Sequence, residues 1–372
     1  MEKKLIIGID ASRSNLAQKT GTEYYSYEII NNLVKNNSRY YFRLYSKTKL
    51  DYIGESAHVE NKVMKFPKLW SQVRLSAEIL THPPHVLFEP AHTIPLIHGR
   101  KTVVTVHDIG FRHFPELYTP LERIYHNWCM GFSIKHATKI IAISKTTRDD
   151  IVKIYRADPK KITVIYHGYE RNKYYPLSGR EQSPDWIVKM KPYIYFIGRL
   201  EAKKNLKNLI KAFGLLKKDR RIRHKLVLAG RPGYMYEEIK SEIDSLDPRT
   251  REDVVELGYV ADEKVSDLMR GADIFAFPSK FEGFGMPLVE AMASGIPVVA
   301  SNTTSIPEIV GKSALLSDPE DYRKLSTNIE LLINNRRKRQ ELISAGLERA
   351  RDFNWTDAAH QTLEVLKKAA NS

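Results

Sequence analysis

The sequence predicts an α/β protein built from two doubly wound, parallel-sheet domains, and three observations carry that expectation. The chain has 372 residues, more than one hydrophobic core usually supports. Short apolar runs rich in Ile, Val and aromatics alternate with stretches of helical period, which is how parallel strands buried on both faces read. The alternation pauses once, over Tyr169–Lys191, where Arg, Asn, Ser, Gly and Pro interrupt any period. The expected layout is an N-terminal Rossmann-like domain at 1–170, a linker at 171–191, a C-terminal domain at 192–352 that binds the ligand, and a closing helix at 353–372 placed to pack back on the first domain.

Each element has its own reason. Lys4–Asp10 opens with an apolar run of about five residues that stops at Asp10, a strand's length rather than a secretory leader's. Further strands come at Tyr40–Ser46, Val86–Pro90, Lys101–Asp108, Lys139–Ser144 and Ile162–Gly168, with helices at Gly21–Val34, Pro120–His136 and Lys145–Tyr155. The second half repeats the scheme with strands at Tyr193–Gly198, Lys225–Gly230, Val254–Val260, Asp273–Ser279 and Pro297–Ser301, and helices at Lys207–Leu216 and Val265–Arg270.

Composition narrows the function. No run approaches the roughly 18 apolar residues that span a bilayer. Cys129 is the single cysteine, which excludes an internal disulfide and a cysteine zinc cage and fits a reducing, cytoplasmic setting. A formal charge of +15 suits nucleic acid, a phosphate-rich ligand or anionic lipid, and equally a solubilising lysine surface with no partner. Residues 1–170 hold 25 Lys/Arg against 16 Asp/Glu, so the excess leans toward the first domain. There Lys65-Phe-Pro-Lys-Leu-Trp-Ser-Gln-Val-Arg-Leu75 mixes basic and bulky apolar side chains, which fits a segment lying on an anionic membrane and fits a core helix with a charged outer face just as well. RNP motifs, zinc-finger spacing and a basic helix are missing, so nucleic acid is not expected as a partner.

Open α/β sheets bind ligands beyond the carboxyl ends of their strands. No G-x-G-x-x-G succeeds the first strand, no P-loop occurs, and no D-x-D occurs to hold a divalent cation on a diphosphate. Phosphate charge must then be met by Lys, Arg and backbone N–H groups. The informative segment is Phe281-Glu-Gly-Phe-Gly-Met-Pro-Leu-Val-Glu-Ala-Met-Ala-Ser-Gly-Ile-Pro-Val-Val-Ala300, after the strand Asp273–Ser279. Pro287 suits a first helical turn, Ser294-Gly295 its end, and Pro297 the opening of the next strand. Gly283 and Gly285 let a ligand approach the backbone, and the helix start can hold a diphosphate. Glu282 and Glu290 could grip two hydroxyl-bearing parts of one ligand; alternatively, Glu282 is solvated and Glu290 only complements the helix dipole. Arg199 and Lys204 leave the strand Tyr193–Gly198, Lys203 is their neighbour, and His107 and Asp108 end the strand Lys101–Asp108.

At nearly every position the 281–300 segment resembles the Glu-x7-Glu signature of family 4 retaining glycosyltransferases. Gly198-Arg-Leu-Glu-Ala-Lys-Lys-Asn205 resembles that family's Gly-Arg-Leu-x-x-x-Lys-Asn, and phrases such as Val164-Ile-Tyr-His-Gly168 and Gly258-Tyr-Val260 extend the likeness over nearly the whole chain. The resemblance implies the GT-B fold, two Rossmann-like domains facing a cleft, and is strongest to mannosyltransferases of bacterial surface polysaccharides. It implies that Glu290 holds ribose hydroxyls, that Glu282 contacts the transferred sugar, and that the backbone around Gly283, Phe284, Gly285 and Met286 meets sugar and distal phosphate. Arg199 and Lys204 match its phosphate-binding pair and His107 its active-site histidine. Tyr259 and Val260 would lie by the base, flanked by Arg231–Tyr234. The family's amino-terminal loop often pairs glycines at the donor phosphate; here Gly21 stands alone, with Thr22 as its helper.

The implied reaction is transfer of a hexose from a GDP- or UDP-linked donor, with mannose from GDP-mannose favoured, to a glycan or lipid-linked glycan in cell-surface polysaccharide assembly. It would proceed with retention, with neither metal nor other cofactor, with domain closure joining His107 to Glu282, in the cytoplasm or on the inner face of the membrane. The competing readings are a nucleotide-sugar epimerase or a pyridoxal-dependent phosphorylase on a related fold, and a non-catalytic nucleotide-sugar or nucleic-acid binder.

Overall fold

The computed structural model describes residues 4–16, 19–91, 93–177 and 183–372. The polypeptide forms two compact units: Met1–Gly168 together with Asn354–Ser372, and Tyr169–Phe353. Residues 171–191 therefore group with the second unit, where Tyr174 and Ile187 are buried; 178–182 lie outside the described residues.

The first unit is a seven-stranded parallel sheet of β1 (Ile6–Asp10), β2 (Tyr41–Ser46), β3 (Val59–Val63), β4 (Val86–Glu89), β5 (Thr102–Val106), β6 (Lys139–Ala142) and β7 (Ile162–Val164). Its order is β3-β2-β1-β4-β5-β6-β7. The central strands are largely apolar because helices cover both faces; β4 and β5 are buried at every position. The helix Gly21–Asn36 starts at Thr20, which forms a capping box with Glu23. It packs against the closing helix Trp355–Ala370, and Gly168 is pressed so close to Trp355 that a Cβ there would lie 2.2 Å from the Trp355 nitrogen.

The 65–75 segment divides between two roles. Trp70 and Leu75 enter a core cluster with Met64, Tyr45, Ile79 and Leu87, while Phe66, Leu69 and Val73 stay exposed. It is a turn of π-helix, Ser71–Leu75, running into the helix Ser76–Thr81.

The second unit is a six-stranded parallel sheet of β8 (Tyr193–Ile197), β9 (Lys225–Ala229), β10 (Val254–Gly258), β11 (Ile274–Phe277), β12 (Val298–Ser301) and β13 (Ala314–Ser317), ordered β10-β9-β8-β11-β12-β13. Stacked Phe196, Phe277 and Phe275 fill the space beside β8 and β11. In each sheet the sequence order reverses at one point, between β1 and β4 in the first and between β8 and β11 in the second. Helices depart to opposite faces there, leaving a crevice at the carboxyl ends.

Candidate functional site

The reversal between β8 and β11 is where the second unit gathers its chemistry. Beyond β8 the backbone approaches β9 closely: at Gly230, φ 147°, a Cβ would lie 1.8 Å from the Gly198 oxygen. Arg199 leaves this point with its side chain 68% exposed and its Nε 3.8 Å from Glu201. Lys203 lies 3.3 Å from the other oxygen of the same carboxylate. Lys204 ends the short 3-10 turn Ala202–Lys204, and the next residue anchors it. Asn205, at φ 58°, donates from its amide to the carbonyls of Pro278 and Pro319 at 3.1 and 2.6 Å.

Lys204 Nζ lies 2.6 Å from Glu282 Oε1, with both side chains largely buried. Strands adjacent in space but distant in sequence thus deliver one cation and one carboxylate to the same spot. The ammonium also stands over the Phe277 ring at 5.5 Å. The Glu282 loop is fixed by neighbours: its N–H donates to Thr304 Oγ1 at 3.1 Å, and the Ser305 hydroxyl donates to the carbonyls of Glu282 and Phe284 at 2.9 and 3.0 Å.

Gly285 then turns at φ 94° into the helix Met286–Ala293, with Pro287 in its first turn and Ser294 as its cap. A Cβ on Gly285 would come within 2.9 Å of Leu288 Cδ1, so the tight entry needs glycine. At the helix start Pro287 has no N–H and the Leu288 N–H donates back to the Gly285 carbonyl at 3.0 Å, so what the start offers an anion is the Met286 N–H and the positive end of the dipole. Glu290 stands beyond that first turn, which removes the dipole-complement reading of its role. Part of Glu290 is accessible, but the depth of its carboxyl pushes it up to about 7. Lys173 and a hydrogen bond from Tyr174 oppose the rise, while Glu170 and Asp262 add to it. Lys173, Tyr174 and Glu170 come from a stretch with no sequence period, where no local pattern points to them. Tyr259 and Val260 come after the outer strand β10, separated from Lys204 and Glu282 by β9. Tyr259 is half exposed, with the Arg231 guanidinium 4.6 Å from its ring centre.

In the first unit His107 sits just past β5 and is 6% exposed. Its Nε2 lies 2.7 Å from the Pro90 carbonyl, an acceptor, so Nε2 carries the proton and Nδ1 is the acceptor. Burial holds the imidazole below its ordinary range, with the Pro90 bond and Asp108 opposing. Tyr25 packs edge-on to it at 4.8 Å. Gly21 and Thr22 begin the helix that carries Tyr25, and a Cβ on Gly21 would meet nothing within 4 Å. One pair has no signal in the sequence: at the reversal between β1 and β4, buried Glu89 shares a hydrogen bond with Asp10, and burial first, then Asp10, holds Glu89 well above the usual carboxylate range. Asp10 in turn accepts from the Ser12 N–H at 2.8 Å and the Ser71 hydroxyl at 3.2 Å.

Comparison with known proteins bears on the family and the fold. Residues 20–173 match the family model described as Glycosyltransferase Family 4, and residues 180–349 the model described as Glycosyl transferases group 1. The O-antigen chain mannosyltransferase B of Escherichia coli is 32% identical over 272 residues, covering 72% of this chain and 70% of that protein. Among solved structures, sucrose-phosphate synthase from Thermosynechococcus elongatus superposes with a TM-score of 0.75 at 16% identity, covering 98% of this chain and 99% of that one. HepE of Anabaena, solved with UDP and glucose, superposes with a TM-score of 0.72 at 21% identity, covering 98% and 100%. At those identities the two structures speak to the fold, two Rossmann-like GT-B domains.

Proposed function

The chain belongs to the family 4 glycosyltransferases, and on that premise we propose that it moves mannose from GDP-mannose to a glycan or lipid-linked glycan acceptor, with retention and without a metal ion, in building a cell-surface polysaccharide. The mannosyl and polysaccharide parts of this reading draw on the O-antigen relative. The carrying observation is the Lys204–Glu282 pair at 2.6 Å beside the helix start at Gly285.

In this reading Arg199, Lys204 and the Met286 N–H at the helix start receive the diphosphate and stabilise the negative charge that grows as the sugar leaves. Two side-chain cations and a helix dipole do the neutralising, in a sequence without a D-x-D. Glu282, held by Lys204, addresses the sugar, and Glu290 the ribose. The departing phosphate helps take the acceptor's proton on the face it leaves, which gives retention. His107, neutral and oriented by its Nε2 bond to Pro90, addresses a donor-sugar hydroxyl.

A thermal-shift panel of GDP, UDP, ADP and their sugar conjugates in EDTA tests the donor half of the proposal. A nucleotide that binds only the folded state raises the melting temperature, by about 2.7 kcal/mol of added stability at a hundredfold excess over Kd. GDP and GDP-mannose should respond, and Glu290→Ala should abolish the response. A response to UDP-sugars alone would replace the base; no response at all would remove the proposal.

A further inference from the structure

The helix Pro120–His136 buries one face and leaves a second apolar face bare. Cys129, Met130, Ser133 and Ile134 enter the core. Leu121, Ile124, Tyr125 and Trp128, spaced i, i+3, i+4 and i+7, form a stripe on the other side and are 80%, 67%, 45% and 48% exposed. A solvated helix face is normally polar. Here about two turns of it are not, although the core contacts of the helix are already made.

The same face of the sheet carries further exposed apolar side chains. Both the β3-to-β4 and the β5-to-β6 connections cross to the right in the sheet order, so right-handed crossover sets their helices on the same face. Ile94 ties them together: its N–H donates to Ser133 Oγ at 3.1 Å, and its carbonyl accepts from Gln72 at 3.2 Å. Leu69 and Val73, 63% and 47% exposed, therefore belong to the same face. Among the described residues of 64–128 five Lys/Arg are exposed (Lys65, Lys68, Arg100, Arg112 and Arg123) against two Asp/Glu, Glu116 and Glu122. Contiguous exposed apolar surface marks an interaction site. The excess of exposed cations in this stretch, in a chain of net charge +15, opposes stacking on a second copy and favours a negatively charged partner.

We propose that this face of the first unit docks on an anionic lipid bilayer, with Leu121, Ile124 and Trp128 entering the headgroup boundary and the surrounding Lys and Arg meeting lipid phosphates. Trp and Tyr side chains suit that depth, and apolar burial with electrostatic attraction is how interfacial helices hold. The proposal deepens the reading of a membrane-borne acceptor and rests on it. It centres the contact on the helix Pro120–His136 rather than on the 65–75 segment, whose Trp70 and Leu75 belong to the core.

The test is co-sedimentation of the full chain with vesicles of phosphatidylcholine containing about 30% phosphatidylglycerol, and with phosphatidylcholine alone. Wild type should bind the anionic vesicles, more weakly as salt rises, and bind the neutral ones least. The triple variant Leu121→Ser, Ile124→Ser, Trp128→Ser should lose more than about tenfold in affinity. All three side chains are largely outside the core, so nucleotide response and melting temperature should be kept, and measuring both on the same samples separates failure of docking from failure of the donor site. Two results would overturn the proposal: wild type that responds to nucleotide but ignores anionic vesicles, or a folded triple variant that binds them undiminished. A concentration-dependent dimer abolished by the triple variant would instead assign the face to a second copy.

Discussion

Replacing Glu290 by Gln isolates the electrostatic cost of this carboxyl at nearly constant shape, and the cost can be worked out. Its folded value of about 7 stands above the ordinary 4.5. The folded state therefore holds the proton more tightly, and the group's stability contribution is full below about 4.5 and is lost as pH rises through 7. At 1.36 kcal/mol per unit, the penalty relative to an unperturbed carboxyl is about 1 kcal/mol at pH 5 and about 3 kcal/mol at pH 8. Gln keeps the oxygen that accepts from Tyr174 and carries no charge. Glu290→Gln should thus stabilise the second unit by an amount that grows with pH, with about 2–4 °C of melting temperature for each kcal/mol in a unit of this size. The assay is thermal unfolding of wild type and variant from pH 5 to 8. In parallel, a carboxylate that grips ribose hydroxyls predicts a wild-type donor KM that falls as pH rises through about 7, a dependence the variant should lack. A melting-temperature difference that is the same at pH 5 and 8 would refute the burial argument; an unchanged KM in the variant would refute the ribose role.

Other outcomes rest on the same geometry. Lys204→Met should lower kcat by about 10²–10³, the loss expected when one preorganised stabilising group is removed, and steady-state kinetics with GDP-mannose would measure it; a change confined to KM would count against the role. Gly285→Ala forces a Cβ onto Leu288 at a φ of 94° and should cost about 1–3 kcal/mol, read by denaturant unfolding. His107 is held below its ordinary range, so its contribution is present above about 6.5 and lost as pH falls. His107→Gln, whose amide nitrogen can take the place of Nε2 on the Pro90 carbonyl, should flatten part of the acid loss of stability below about pH 6.5 and lower kcat.

Legibility in the sequence tracks burial. Central strands such as Val103–Val106 are mostly apolar because both faces are covered, and they are readable without an alignment. The two strands that leave no such trace, β3 and β13, are sheet edges. Val59-Glu-Asn-Lys-Val63 is only partly buried along its length, so no apolar run betrays it, and Ala314–Ser317 is short. The Glu-x7-Glu segment is legible because its loop and short helix lie close together in sequence. The surroundings of Glu290 are not, since Tyr174 and Lys173 reach it across more than a hundred residues. Likewise Asp10 and Glu89 meet only because β1 and β4 pair. The apolar stripe of Pro120–His136 is hidden for the opposite reason: a helix with apolar residues on two faces reads as a well-buried one.

Transfer of labelled mannose from GDP-mannose to membrane-extracted acceptor in EDTA tests the proposed reaction most directly, comparing wild type with Glu282→Gln and reading the anomeric configuration of the product by NMR. The expected result is an α-mannosyl product matching the donor's anomer, formed without metal and largely lost in the variant. Transfer that needs a divalent cation, that inverts the anomer, or that proceeds undiminished in Glu282→Gln would contradict it.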